Sequence, residues 1–481
     1  MRSLKYNSIA AGILLLIICS GQKEGVNVNP EINFGAKYKM KLNEDLRSII
    51  SPHLMGFNIV YAYEKDALWN DGKIESYLKE VNAGVLRYPG GTVTTYYHWN
   101  QLTGEGWKDS WDPQNPVIPK DSSEFMTLEQ YMSLIRNTGA TPLLGINMCS
   151  GWRWNRIDEG VEEALALMKY CKDRNFDVTY WYLGNEPYQH DSNGGSKTVA
   201  QYAELINIFV PRMKEVNPEI QIVANWNAAF KNRTKDYQEL LTLAGRNIDI
   251  IDVHWYWRWS EPTWDKWLAN TPIQQWNGDT YLKDIQYFRE MTKDLGFEHM
   301  KLASLEWNVG PVRNKQLTPH QIALIQSEML MNFMTGGLDM AAFWPIHGPG
   351  AAVAPRSFVN LADRNPHPNY QIFKFLGQLQ GNYIYDFETE NEVPNVTGMI
   401  IGNKNEDTIW ICFLNKNNFN VKVEIPTRQF KKINPEEASA FILRNEGNNS
   451  ELVQLGQIKS DKNGISFITP GCSFSMLKFT K

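Results

Sequence analysis

The sequence predicts an α/β chain built as a (β/α)8 TIM barrel with a C-terminal antiparallel β-sandwich domain, and three observations carry that expectation. Between about residues 50 and 380, short apolar runs of strand type alternate with stretches in which apolar residues recur three or four apart, the pattern of a parallel α/β fold. Eight such runs can be placed, the number that closes a barrel. After about residue 384 the helical period vanishes, and alternating segments divided by Asn/Gly turns take over, as in a sandwich. A length of 481 residues suits a large barrel plus a smaller module.

In chain order, Arg2 and Lys5 precede an apolar stretch from Ile9 to Ile18 that stops at Cys19. About ten apolar residues are too few to span a bilayer as a mature helix, so residues 1–19 are expected to be a signal peptide. Leu16-Ile17-Ile18-Cys19 resembles a bacterial lipobox, which implies lipidation of Cys19 and an exported protein, at the outer membrane, cell surface or periplasm. Residues 20–49 are expected to be a linker with one sandwich strand, Lys37 to Leu42. The barrel strands are expected at His53 to Tyr61, Gly84 to Arg87, Pro142 to Asn147, Tyr180 to Leu183, Ile220 to Asn225, Asp249 to His254, Lys301 to Glu306 and Met340 to Trp344. Between them, Gly160 to Arg174, Val199 to Glu215, Leu282 to Leu295 and Pro319 to Thr335 read as helices. Within 384–481 the strands are expected at Thr408 to Leu414, Val421 to Ile425, Ala438 to Leu443 and Ser473 to Phe479.

Composition narrows the partners. A net charge of −5 attracts neither nucleic acid nor an anionic membrane surface, and no basic run with interleaved aromatics is present. Membrane contact is expected only through the N-terminal lipid. Cys149, Cys171, Cys412 and Cys472 match no zinc spacing and are too few for a disulfide scaffold, so they read as mostly free, with one disulfide open. No histidine pair has zinc-protease spacing, and no phosphate-cradling Gly-rich loop or nucleophile elbow occurs. No metal or cofactor is expected.

The chemistry is concentrated at the strand ends. Arg87, Asn147, Asn185-Glu186, Asn225-Trp226, His254-Trp255-Tyr256, Glu306-Trp307 and Trp344 all follow barrel strands, and in this fold those ends converge on one face. Polar residues follow strands simply because loops are exposed, but seven in register point to a site. All but one of the 17 tryptophans precede residue 345, and Trp99, Trp226, Trp307 and Trp344 are among those beside strand ends, where flat amphipathic rings suit sugar faces. About half of these rings would serve a plain core instead. Two glutamates, Glu186 and Glu306, are the residue type that glycosidic cleavage requires in a pair.

The stretches Val85-Leu86-Arg87-Tyr88-Pro89-Gly90-Gly91, Gly145-Ile146-Asn147, Trp181 to Glu186, His254 with Tyr256, and Glu306-Trp307-Asn308-Val309 together resemble clan A of the glycoside hydrolases, most closely the family 51 α-L-arabinofuranosidase type. Leu183-Gly184-Asn185-Glu186-Pro187 is also similar to families 39 and 79. The resemblance implies a retaining hydrolase with Glu186 as acid/base and Glu306 as nucleophile. It implies that Asn185 holds a sugar hydroxyl, that Arg87 with Tyr256 or His254 orients Glu306, and that Trp99, Asn147, Trp226, Trp307 and Trp344 help bind substrate. This sequence departs from family 51 in lacking a glutamate between Leu54 and Tyr61 and in having Thr92 where an asparagine is usual. The expected activity is therefore cleavage of plant or algal polysaccharides or oligosaccharides. A β-xylosidase, a glucuronidase, an endo-glycanase and a non-catalytic glycan-binding lipoprotein stay open.

Overall fold

In the computed structural model the described residues are 34–101, 108–114, 121–189, 197–227, 230–275, 278–313, 316–348, 350–351, 353–391, 393–405, 407–426, 434–444, 449–456, 458–461 and 464–480. Strand β1 (Ala36–Ile49) leads into a closed parallel barrel of β2 (Gly56–Asn58), β3 (Val85–Tyr88), β4 (Thr141–Ile146), β5 (Tyr180–Leu183), β6 (Gln221–Asn225), β7 (Ile250–Trp257), β8 (Lys301–Val309) and β9 (Met340–Phe343). All eight expected strands are present, and four expected helices appear at Ile157–Asp173, Val199–Val216, Tyr281–Asp294 and Pro319–Thr335. Residues 1–33, with Cys19 and the lipobox, lie outside the described residues.

The barrel encloses its own small core, made of inward side chains such as Val85, Leu143, Tyr182, Val223 and Ala303. The outward side chains pack on the helices in a second, much larger core. Three of the helices start with Thr capping boxes, at Thr127, Thr198 and Thr318, which satisfy the first free amides and set where each begins. Helix Pro319–Thr335 is buried all round from Gln321 to Met334 because it is covered by the barrel on one side and the second sheet on the other.

The second sheet has ten strands, including β10 (Tyr383–Thr389), β11 (Val396–Gly402), β12 (Thr408–Asn415), β13 (Val421–Ile425), β14 (Asn434–Arg444), β15 (Asn449–Gln454), β16 (Lys459–Asp461), β17 (Gly464–Thr469) and β18 (Ser473–Thr480). Residues from β12 and β18 share a core with residues from β13 and β17, and Phe413 meets Phe467 at 6.4 Å, so the sheet folds over on itself as a sandwich. β1 joins its two halves: it runs antiparallel to β10 and parallel to β13, the single departure from an antiparallel design among the described residues. Cys149, Cys171, Cys412 and Cys472 are free thiols.

Sheet and barrel are joined by a buried ion pair. Lys416 Nζ lies 2.8 Å from Glu328 Oε2, with neither side chain exposed. The ammonium also sits 4.5 Å over the Trp267 ring, and Glu328 accepts the Trp267 Nε1–H at 2.6 Å and the Ile273 amide at 3.0 Å.

Candidate active site

Glu186 is presented by a sharp turn at the end of β5. Gly184 has φ of 68°, and Glu186 itself adopts φ of 44°, a left-handed conformation that costs a non-glycine residue about 1 kcal/mol or more. The turn is held because the Glu186 amide donates to Asn225 Oδ1 at 2.9 Å, at the end of the neighbouring strand β6. Its carboxylate accepts from Gln189 Nε2 at 2.7 Å and Tyr188 Oη at 3.2 Å, and lies 2.9 Å from His254 Nδ1.

Glu306 is aimed by a break in strand alternation. Ala303 and Leu305 face the barrel core, so a regular strand would turn Glu306 outward. The register of β8 shifts between Ala303 and Glu306 against β7 and between Ser304 and Trp307 against β9, and Glu306 points into the site while Trp307 points out. The backbone groups freed there are taken by side chains: the Leu305 amide donates to Asp252 Oδ1 at 2.7 Å, and the Leu305 carbonyl accepts from Asn58 Nδ2 at 2.8 Å.

Three groups then hold the Glu306 carboxylate. Arg87 Nη1 donates to Oε1 at 3.0 Å, Tyr256 Oη donates to Oε2 at 3.0 Å, and His254 Nδ1 stands 3.5 Å from Oε2. Arg87 is fully buried, with its guanidinium 4.3 Å over the Tyr182 ring, and it also donates to Asn58 Oδ1 at 3.0 Å and Asn185 Oδ1 at 2.7 Å. Burial alone would pull the His254 imidazolium down, but the Glu306 and Asp252 carboxylates outweigh it and hold it at about 10. His254 is therefore a cation between the two glutamates at neutral pH.

Ligand atoms of Glu186, His254 and Glu306 all lie within 4.8 Å of one another. That spacing could surround a metal ion, although both His254 nitrogens already lie against carboxylates, Nδ1 on Glu186 at 2.9 Å and Nε2 on Asp252 at 3.1 Å. Carboxylate oxygens of Glu186 and Glu306 thus come within 4.8 Å of each other. A pocket of about 410 Å³ opens above them.

The expected site residues divide into two sets. Glu186, Glu306, His254, Tyr256 and Trp344 line the pocket, and Arg87 and Asn185 lie directly beneath. Four do not reach it. Trp307 is fully buried among Phe333, Phe343 and Phe373 on the outer side of β8, because the shift that turns Glu306 in turns its neighbour out. Trp226 packs on Tyr188 and Tyr202 and donates to Asp236. Asn147 is consumed locally, accepting the Cys149 and Ser150 amides and donating to Ser150 Oγ at 2.7 Å. Trp99 leans on Tyr170 and donates to the Glu163 carbonyl.

Sequence reasoning missed Tyr188, Gln189, Val93 and Trp259 in the lining and Asp252 behind His254. Tyr188 and Gln189 follow Glu186 directly and could have been found from that adjacency. Asp252 could have been found as the inward partner two residues before His254 on one strand.

Barrel, appended sheet and paired carboxylates at the strand ends resemble the arrangement of clan A glycoside hydrolases. Within that clan the chain stands close to family 51: residues 77–270 match the family model of the alpha-L-arabinofuranosidase 1 domain. It is similar to alpha-L-arabinofuranosidase C of Emericella nidulans at 27% identity over 37% of this chain, and the match spans only 38% of that protein. It is similar at 23% identity to the intracellular exo-alpha-(1->5)-L-arabinofuranosidase 1 of Bacillus subtilis, over 74% of this chain and 78% of that protein. The crystal structure of an alpha-L-arabinofuranosidase from Thermotoga maritima in complex with arabinose superposes with a TM-score of 0.70 at 16% identity, covering 92% of this chain and all of that one, which shows the shared fold.

These relatives correct one expectation. The export read from the N-terminal residues is overturned by the naming of the Bacillus subtilis relative, and of another from Halalkalibacterium halodurans, as intracellular.

Proposed function

We propose that this chain is a retaining, α-L-arabinofuranosidase-like hydrolase that cleaves arabinose-bearing plant or algal oligosaccharides in the cytoplasm. The observation that carries the reading is the approach of Glu186 and Glu306 to within 4.8 Å at the floor of one pocket. Matched relatives named as arabinofuranosidases support the substrate class, and the intracellular naming of the bacterial ones supports the compartment.

In this reading Glu186 gives its proton to the glycosidic oxygen as Glu306 attacks the anomeric carbon and forms a glycosyl ester. Glu186 then takes a proton from the water that opens the ester. Arg87, Tyr256 and His254 fix the angle of the Glu306 carboxylate before substrate arrives. Arg87 also holds Asn185 Oδ1, which leaves the amide Nδ2 as donor to the hydroxyl beside the reacting carbon, a contact that strengthens in the transition state. Both carboxylates are present and supported in a working arrangement, which argues against a purely glycan-binding role.

The test is the anomer first released from an aryl α-L-arabinofuranoside, followed by proton NMR. Retention is expected, and Glu306→Ala should abolish turnover while oligosaccharide binding persists. Inversion, or turnover that survives the substitution, would overturn the assignment.

A further inference from the structure

The floor of the pocket is fully occupied by the groups above, but its rim carries an aromatic side chain with no role in them. Trp259 lines the same pocket as Glu186 and Glu306 and is 59% exposed, whereas Trp255 and Trp257 just before it are buried. Its ring meets Tyr256 edge-on, with centroids 5.0 Å apart and planes at 79°, and Tyr256 in turn donates to Glu306. The indole is thus braced from the side by the residue that touches the nucleophile candidate.

The backbone that presents it is held in place. Arg258 has φ of 48°, a left-handed conformation, and the Gly310 amide donates to the Trp257 carbonyl at 2.8 Å. Gly310 lies so close beneath that a Cβ there would come within 2.2 Å of the Arg258 carbonyl oxygen and 2.7 Å of Trp259 Cα. Leaving an indole in water forgoes its burial energy, and the left-handed residue adds strain. The fold keeps both at the mouth of a sugar-sized cavity.

We propose that Trp259 is the platform of a leaving-side subsite, where the apolar face of the sugar ring that remains after cleavage stacks on the indole. The inference rests on the reading of Glu186 and Glu306 as the catalytic pair, because that pair puts the cleaved sugar on the floor and its neighbour at the rim. A ring stacked there is positioned by Trp259 with its linking oxygen toward Glu186, whose neighbours Tyr188 and Gln189 also line the pocket.

The test compares two substrates that share the cleaved sugar: methyl α-L-arabinofuranoside, whose leaving group has no ring, and a disaccharide of two α-L-arabinofuranose units. Trp259→Ala should lower kcat/KM on the disaccharide about tenfold and leave the methyl glycoside within about twofold, with Trp259→Phe restoring most of the loss. Equal losses on both substrates, or none on either, would overturn the platform. Calorimetry of the disaccharide in a Glu306→Gln background separates this from the catalytic reading. If Trp259→Ala weakens that binding about tenfold while the wild-type chain cleaves neither glycoside, the sugar-stacking contact stands, but the catalytic reading falls and the leaving-side assignment falls with it. Unchanged binding overturns the subsite.

Discussion

Asp252 Oδ1 accepts the backbone amide of Leu305 at 2.7 Å, one residue before Glu306, while Asp252 Oδ2 holds His254 Nε2 at 3.1 Å. One buried carboxylate thus stabilises both the register shift that aims Glu306 and the cation that flanks it. Asp252→Ala leaves a buried amide without a partner, a cost of about 1–3 kcal/mol. A lower Tm is expected, with kcat falling far more than KM rises. A variant with wild-type kcat would show that the shift in β8 does not need Asp252.

Arg87 joins three acceptors, Asn58, Asn185 and Glu306, in one planar fork. A lysine ammonium cannot match that geometry. Arg87→Lys is expected to keep the fold and lose about a hundredfold or more in kcat, as one misplaced group of this kind commonly costs. Arg87→Met should in addition lose about 3–5 kcal/mol of stability, because Glu306 loses its one fully buried guanidinium partner. Steady-state kinetics beside chemical denaturation distinguish the two effects.

Lys416 and Glu328 tie the ten-stranded sheet to the barrel and to the Trp267 segment. Breaking one side of a buried pair strands the other charge, so Lys416→Met and Glu328→Gln should each cost about 3–5 kcal/mol. The double variant should recover part of that loss, since no charge then remains buried. Additive losses in a denaturation cycle would contradict a coupled pair.

Two buried histidines set an alkaline limit. His98 Nε2 lies 3.0 Å from Asp109 and Nδ1 2.8 Å from Glu163. Burial draws it down, but the bonds to Asp109 and Glu163 hold it at about 9. His254 is held at about 10. An unfolded histidine titrates near 6.5, so both bind their protons more tightly when folded. Their stabilisation is complete below about pH 6.5 and is lost as pH rises through 9 to 10. Tm should decline between about pH 7 and pH 10, and His98→Gln should flatten the earlier part of that decline. A Tm that stays level across the range would refute this linkage.

Much of the architecture was legible in residue order. Tyr180 to Leu183, Val421 to Ile425 and Pro319 to Thr335 occur in the structure with the expected bounds, because apolar period and local punctuation are short-range signals. Glu186, Glu306, Arg87, Asn185, His254, Tyr256 and Trp344 were legible for a related reason: in a parallel barrel, position at a strand end fixes the face on which a side chain emerges. The tryptophans were less so. Trp307 and Trp344 both stand beside strand ends, yet one is core and the other lines the pocket.

By itself, then, the order of residues determined the barrel, the folded-over sheet and the two glutamates, since each depends on local period and on strand ends meeting at one face. Tertiary structure decided the rest. The register shift in β8 turns Glu306 in and Trp307 out, and it exists only because Asp252 and Asn58, from other strands, satisfy the backbone it exposes. The seat of Lys416 against Glu328 and the close approach of Gly310 to the Trp259 backbone likewise join residues far apart in the chain. Such contacts follow from three-dimensional packing and polar satisfaction, which residue spacing does not encode.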